Sequence, residues 1–204
     1  MKFIVSFRDP VSRAYSWYWN MVREGREDLD FDEALRVEES RLEQNRYELY
    51  QRGSMVYGYS AGSRYASLLQ PYLELYSPEN FFFVFQDDLK SRVNETCEEI
   101  FKFLGIESSI QINTSNSNPA AMPRSRLLHQ TLRQHSLFKE FVKPLIPTRI
   151  RRPLKSKMMQ ANLRETPYVP LDPQLAHQLR LSYRPEIEKL EKITNRELSS
   201  WKAE

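Results

Sequence analysis

The chain has 204 residues, with 30 Lys and Arg against 27 Asp and Glu, a net charge of +3, 40% hydrophobic residues and a mean hydropathy of −0.64. This composition is typical of a folded globular protein. It excludes an extensively disordered chain and gives no reason to expect a nucleic-acid partner. No apolar run reaches the ~18 residues of a membrane span, and the sequence begins without a signal-peptide pattern, so we expect no membrane span and a cytoplasmic protein.

The cysteine, glycine and histidine content excludes several kinds of site. The single cysteine, Cys97, cannot form an internal disulfide, which favours a reducing compartment. The five glycines form neither the G-x-G-x-x-G fingerprint of dinucleotide sites nor a Walker A loop, and the three histidines form no H-E-x-x-H motif. The sequence therefore predicts no metal site, and any phosphate must be bound without a glycine-rich loop.

The first 44 residues predict one strand and two helices. Residues 3–7 (FIVSF) form a short apolar run of strand-forming residues, and Asp9-Pro10 follows as an N-cap and a first helical residue. The helix that they start is predicted over residues 11–23. Asp30 and Glu33 form a capping box, which predicts a second, charged helix on the surface.

The next segment predicts a helix, a strand and another helix. Apolar residues from Ser60 to Tyr76 recur at the spacing of an amphipathic helix. Phe81 to Phe85 (FFFVF) is a continuous apolar run, which is typical of a strand buried on both faces of a parallel sheet. Val93 to Leu104 again predicts a helix, with Gly105 as its C-cap.

The second half of the chain has weaker patterns. Residues 106–123 predict a long loop, residues 124–142 a helix, and residues 143–169, which are rich in proline, arginine and lysine, an irregular segment. Residues 172–192 predict a final helix that Pro185 breaks or restarts, and Trp201 is a candidate anchor for the tail.

This order of elements predicts an α/β fold in a single domain over residues 1–204, with right-handed crossovers between parallel strands. Two strands alone do not make a stable parallel sheet. Either weaker strands escape recognition, or the remaining strands of the sheet lie on sequence that this chain does not contain.

The segment FRDPVSRAYSWYW, residues 7–19, is the strongest candidate for a site. Arg8 ends a predicted buried strand, and Ser16 follows eight residues later on the predicted helix. A helix N-terminus presents free N–H groups and the positive end of the helix dipole, while a guanidinium matches phosphate oxygens. The pattern therefore indicates an anion site. The alternative is that Arg8 pairs with Asp87 or Asp88 at the end of the neighbouring strand.

At these residues the chain resembles the sulfotransferases that use 3′-phosphoadenosine 5′-phosphosulfate (PAPS). Their 3′-phosphate motif is an apolar strand followed by R-[DN]-P-x-x-R-A-x-S, and IVSFRDPVSRAYS matches it. The resemblance continues through residues 59–89 and 97–106 and through the segment LSYRPEIEKLEKITNRELSSW. It implies a three-layer, parallel-sheet fold similar to that of P-loop NTPases, and it implies that Arg8 and Ser16 hold the 3′-phosphate of PAPS or of its product PAP.

The same resemblance shows what is missing from the expected site. The loop rich in Gly, Ser, Thr and Lys that cradles the 5′-phosphosulfate, and the Glu or His that activates the acceptor, precede the 3′-phosphate motif in that family. Neither is found here, so we expect an N-terminally incomplete, partial sulfotransferase domain that carries the 3′-phosphate half of the site. No residue is assigned as the catalytic base.

The function implied is transfer of a sulfuryl group from PAPS to a hydroxyl or amine acceptor, with a glycan as one candidate acceptor. Arg124 and Ser125 are further candidates for binding the nucleotide, although the same residues are suited to capping the next helix. A basic cluster over residues 149–157 either contacts a polyanionic acceptor or is simply solvated. The alternative function is a non-catalytic fragment or nucleotide-binding module.

Overall fold

The computed structural model describes residues 1–44, 56–107, 121–123, 163–165 and 168–202. Backbone contacts divide the chain into two compact units. Unit 1 comprises Met1–Trp17, Phe31–Ser115 and Leu171–Glu204, and unit 2 comprises Tyr18–Asp30 and Asn116–Pro170. The single domain over residues 1–204 stays a prediction.

Unit 1 contains a parallel pair of strands, β1 (Phe3–Phe7) and β2 (Phe81–Phe85). The register aligns Phe3 with Phe81 and Phe7 with Phe85, so both strands end at the same level. Aromatic and β-branched side chains fit this pleated, partly buried surface. Phe7 and Phe85 are buried with 1% and 3% exposure. Both predicted strands and their parallel pairing are therefore confirmed, and the three-layer arrangement stays a prediction.

Helix α1 (Pro10–Arg23) follows β1 after two residues. The Asp9 carboxylate caps it, because its Oδ1 accepts the backbone N–H of Ser12 at 2.7 Å. Proline suits the first helical position, where its missing N–H has no intrahelical partner to lose. The predicted strand, turn and helix are confirmed, with Pro10 as the first helical residue.

The charged helix predicted after Asp30 is two short helices, α2 (Phe31–Arg36) and α3 (Glu38–Gln44). The second of them begins at Glu38, which is only 5% exposed although it lies in a charged segment. The Glu38 carboxylate accepts the backbone N–H groups of Ser60 and Ala61 at 2.9 and 2.7 Å. A buried acceptor with partners from a distant segment does not show in a hydrophobic pattern, so the sequence predicts one surface helix where two are found.

The helix predicted over Ser60–Tyr76 is a 3₁₀ turn (Ala61–Ser63) followed by α4 (Tyr65–Leu75). A second 3₁₀ turn (Pro78–Asn80) leads into β2. After β2 the chain forms α5 (Gln86–Ser91) and α6 (Val93–Leu104). Gly105 ends α6 in the left-handed conformation with φ 75°, as predicted, and its N–H donates to the carbonyls of the last helical turn.

The final helix, α7 (Pro173–Thr194), is continuous over 22 residues. The prediction that Pro185 breaks or restarts it is therefore wrong. Residues on both sides of Pro185 bury the same stripe, with Tyr183 and Ile187 at 1% and 2% exposure. This packing offsets the single helical hydrogen bond that a proline removes. Trp201 is 3% exposed, so the predicted anchoring of the tail is confirmed.

Unit 2 contains a second, antiparallel pair of strands, β3 (Ala121–Pro123) and β4 (Leu163–Glu165). These strands lie inside the segments predicted as a long loop and as an irregular stretch, and both predictions are wrong at these positions. Three residues are too few for an alternating pattern to show. Weaker strands did escape recognition, but they pair with each other. The helix predicted over residues 124–142 lies outside the described residues.

Elsewhere in unit 2, the indole of Trp19 stacks on the ring of Tyr168, with ring centroids 5.5 Å apart and an interplanar angle of 5°. The Tyr18 hydroxyl donates to the Leu29 carbonyl at 3.0 Å. Across the described parts of both units, no helix combines the length and apolar character needed to cross a lipid bilayer.

Candidate functional site

The ends of the two parallel strands place residues from distant parts of the sequence at one edge of unit 1. Arg8 and Asp9 follow β1, and Gln86 and Asp87 follow β2. Because Phe7 and Phe85 are paired in register, these polar residues leave the sheet at the same level. In open α/β sheets, ligands bind at the carboxyl ends of the strands. The strand ends are therefore where a site is expected.

A cleft of about 280 Å³ lies at this edge. Its walls come from three parts of unit 1, namely the β1–α1 junction, the β2–α5 junction, and α7 with the following turn. The described lining residues are Arg8, Asp9, Ser12, Gln86, Asp87, Lys90, Arg180, Ser200 and Trp201. Its volume is just below the ~300–1,000 Å³ typical of small-molecule pockets, so this cleft is suited to a part of a nucleotide such as one phosphate.

Arg8 is one of three cations among the described residues that line the candidate site. Its backbone carbonyl accepts the Tyr65 hydroxyl at 2.9 Å, and the ring of Tyr65 packs edge-on against Phe7 with centroids 5.2 Å apart. Burial raises the pKa of Tyr65 to about 12, so the hydroxyl stays a donor at neutral pH. These contacts fix the end of β1. Within the described residues, the Arg8 guanidinium itself makes no hydrogen bond and no ion pair.

The aspartates that the sequence offers as partners for Arg8 are paired elsewhere. Asp88 accepts two hydrogen bonds from the Arg196 guanidinium, one of them at 3.0 Å, and these bonds hold the pKa of its carboxyl below the usual value. Asp87 lies 3.6 Å from the Lys90 ammonium. Arg196 also stacks over Phe85 at 4.1 Å. The alternative in which Arg8 pairs with Asp87 or Asp88 is therefore not found.

Ser12 lines the cleft, whereas Ser16, the serine singled out by the motif, is half-buried and is not among the described lining residues. The two serines are four residues apart on α1, so their Cβ atoms lie on the same helical face one turn apart. The motif does not single out Ser12, because its serine corresponds to Ser16. The signal for Ser12 in the sequence is its position on the first turn of the predicted helix, four residues after Arg8.

Arg13, which is also part of the motif, makes hydrogen bonds to the protein backbone. Its Nη1 donates to the carbonyls of Gly58 and Tyr59 at 3.1 and 3.2 Å. Gly62 leaves room for it, since a Cβ there would lie 2.4 Å from Nη1. Arg13 therefore binds α1 to the loop before α4, and the motif contains one arginine at the cleft and one that supports the structure.

The two other residues that the sequence offers for binding the nucleotide, Arg124 and Ser125, lie outside the described residues. Two of the three histidines, His129 and His135, also lie outside them. His177 is exposed on α7. No group of three His, Cys, Asp or Glu residues in the described part of the chain is arranged to hold a metal ion.

Comparison with known proteins decides the family. A family model described as a sulfotransferase domain matches residues 1–161, which is more than half of the chain. The chain belongs to the sulfotransferase domain family. The resemblance read from residues 7–19 is thereby confirmed. The β1–α1 and β2–α5 walls of the cleft lie within the matched residues, whereas the wall formed by α7 and the following turn lies beyond them.

The sulfotransferase fold is also seen in a solved structure. The chain is similar to a sulfotransferase from Alicyclobacillus acidocaldarius, with 21% sequence identity and a TM-score of 0.65. The likeness covers 98% of the present chain and 57% of the Alicyclobacillus chain, so the present chain spans little more than half of that protein's length. At this identity the comparison shows a shared fold. A search among curated proteins finds no match.

Proposed function

We propose that the protein acts in sulfuryl transfer from PAPS to a hydroxyl or amine acceptor, and that this chain provides the 3′-phosphate half of the PAPS site. The proposal combines family membership with the cleft at the carboxyl ends of β1 and β2. It goes beyond the family match, which names neither the donor nor the acceptor.

The observation that supports this proposal most directly is that the Arg8 guanidinium has no acidic partner within the described residues. Arg8 lines the cleft beside the N-terminus of α1. A half-buried arginine with unused donors is suited to a dianionic phosphate, since it can donate two parallel hydrogen bonds. The positive end of the α1 dipole favours the same charge. The residues present therefore fit the 3′-phosphate of PAPS.

When bound, PAPS would supply an activated sulfuryl group, and the residues of this chain would hold its ribose 3′-phosphate. In the proposed arrangement Arg8 donates to the phosphate oxygens, and Ser16 donates its hydroxyl from the same face of α1 as Ser12. Arg124 and Ser125 are retained as proposed contacts. Of the cleft carboxylates, Asp9 caps α1 and Asp87 lies beside Lys90, so neither is assigned as the base for the acceptor.

Calorimetry with two nucleotides tests the 3′-phosphate assignment. PAP carries the 3′-phosphate and adenosine 5′-phosphate lacks it. A charge-assisted hydrogen bond contributes roughly 1.5–3 kcal/mol, so Arg8→Gln is expected to weaken PAP binding about 10- to 100-fold. Adenosine 5′-phosphate binding is expected to change little. The control is Arg184→Gln, because Arg184 is exposed on α7 and pairs with Glu188 away from the cleft.

Equal PAP affinity in the wild type and in Arg8→Gln would reject the assignment, and so would equal losses for both nucleotides. Ser16→Ala and Ser12→Ala, measured in the same way, decide which hydroxyl reaches the phosphate. Release of PAP from PAPS in the presence of hydroxyl, amine and glycan acceptors tests transfer itself. PAP binding without transfer to any acceptor would favour the alternative of a nucleotide-binding module.

A further inference from the structure

The third wall of the cleft comes from a part of the chain outside the 3′-phosphate motif. Arg180 lies in the second turn of α7, and Ser200 and Trp201 belong to the 3₁₀ turn Ser199–Trp201, here called the C-terminal turn. All three residues line the same cleft as Arg8. The shape of the cleft therefore depends on where the C-terminal turn is held.

Arg180 links the C-terminal turn to the N-terminus of α1. Its Nη1 lies 3.3 and 3.4 Å from the carbonyl oxygens of Ser200 and Trp201, and 3.4 Å from Oδ2 of Asp9. Asp9 uses its other oxygen to cap α1. These distances are long for charge-assisted hydrogen bonds, and a single nitrogen with two hydrogens serves three acceptors. The same Arg180 nitrogen therefore makes all three contacts, and a small movement of the guanidinium would break them.

The other anchors of the C-terminal turn come from α7 and β2. Glu191 accepts the Leu198 N–H at 2.7 Å and pairs with the Lys202 ammonium at 2.6 Å. The Trp201 indole packs on Phe85 with ring centroids 5.9 Å apart. These contacts attach the turn to α7 and to β2. The Arg180 hydrogen bonds are the polar contacts that the described residues show between the turn and the N-cap of α1.

Arg180 also affects the charge of the cleft. The described lining contains three cations, Arg8, Lys90 and Arg180, and two carboxylates, Asp9 and Asp87. Lys90 lies beside Asp87 and Arg180 beside Asp9, so the cations and carboxylates balance except at Arg8. An anion next to Arg8 would otherwise meet the uncompensated carboxylate of Asp9, which would oppose its binding.

We propose that Arg180 is a positioning residue, which holds the C-terminal turn as a wall of the phosphate cleft and compensates Asp9 beside Arg8. This inference rests on the proposed function, because it concerns the same phosphate. It adds a role for α7 and the C-terminal turn in setting the affinity of the site.

Three variants test the inference on the full chain. Arg180→Gln removes the charge and the bridge, Arg180→Lys keeps a cation that can reach the carbonyl oxygens, and Arg184→Gln is the matched control one turn further along α7. PAP affinity is measured by calorimetry. The position of the turn is measured without ligand as acrylamide quenching of Trp201 fluorescence, with Trp201→Phe providing the signal of the other two tryptophans.

Arg180→Gln is expected to raise Trp201 quenching and to weaken PAP binding about 10- to 100-fold, as displaced positioning groups do. Arg180→Lys is expected to recover most of the PAP affinity and most of the shielding of Trp201 from acrylamide. Arg184→Gln is expected to match the wild type in both measurements. Wild-type affinity in Arg180→Gln, or weaker binding without increased Trp201 quenching, would overturn the inference while leaving the effect of Arg8→Gln intact. If the wild type binds no PAP, the proposed function fails and this inference fails with it.

Discussion

Replacement of Gly62 by alanine gives a sharp test of the packing around the motif. A Cβ added at Gly62 would lie 2.4 and 2.6 Å from Nη1 and Nη2 of Arg13, whereas ordinary contacts begin near 3.4 Å. The guanidinium must therefore retreat by about 1 Å. Its Nη1 now lies 3.1 and 3.2 Å from the carbonyl oxygens of Gly58 and Tyr59, so both distances would lengthen beyond hydrogen-bond range.

The expected loss of stability follows from these two hydrogen bonds. Hydrogen bonds that involve a charged group contribute about 1.5–3 kcal/mol, and we expect the shared donor to lose about 2–3 kcal/mol in all. Alanine offsets about 0.4–1 kcal/mol of this, because it restricts the unfolded chain and Gly62 does not have a positive φ. The Gly62→Ala variant is therefore expected to be less stable than the wild type by about 1–3 kcal/mol.

Urea denaturation followed by fluorescence measures this difference as a change of midpoint at constant slope. The matched background is Arg13→Ala, in which the clash is absent and Gly62→Ala is expected to stabilise slightly. Two results would refute the reasoning. The first is that Gly62→Ala raises the free energy of unfolding of the wild-type chain. The second is that Gly62→Ala lowers the free energy of unfolding by the same amount in the wild type and in the Arg13→Ala background.

Two further predictions concern carboxylates of unit 1. Glu186 is 9% exposed and accepts the backbone N–H and the hydroxyl of Ser67 at 3.0 and 2.6 Å. Glu186→Ala is therefore expected to lower the free energy of unfolding, measured by urea denaturation, by about 2–4 kcal/mol. The control Glu188→Ala, at an exposed position, is expected to lower it by less than about 0.5 kcal/mol. Similar losses for the two variants would contradict this. The pKa of Asp88 is lowered by its hydrogen bond with Arg196, so that stabilisation is present above the unfolded-state pKa of about 3.9 and is lost as pH falls through the lower folded-state value. Asp88→Asn should lower Tm at pH 7 and flatten its fall below about pH 4, whereas an unchanged acid profile would exclude the pair as a contributor.

The elements that sequence reasoning predicted well are those that local patterns determine. FIVSF and FFFVF are apolar runs bounded by turn residues, and they form β1 and β2. Asp9 caps α1, and Gly105 ends α6 in the left-handed conformation. In each case the determining residues are neighbours in the chain, so the physical cause is visible in a short window of sequence.

The features that were missed depend on contacts between distant segments. Glu38 is buried because it binds N–H groups 22 and 23 residues later, and Pro185 is tolerated because α7 is packed along its length. At the candidate site, the motif located Arg8, but Arg180 reaches the cleft only through the fold. A residue 171 positions from Asp9 carries no local signal of that contact.

The discontinuity of unit 1 has a consequence for biosynthesis. Glu186 of α7 accepts a hydrogen bond from Ser67 of α4, 119 residues earlier in the chain. Arg196 donates a hydrogen bond to Asp88, 108 residues earlier. A nascent chain emerges with its N-terminal end first, so β1, β2 and α4 leave the ribosome well before the helix that completes their polar contacts. Contacts of such separation slow folding and leave early segments exposed for longer. During translation the strand ends around Arg8 therefore lack their contact with α7 until that helix has emerged.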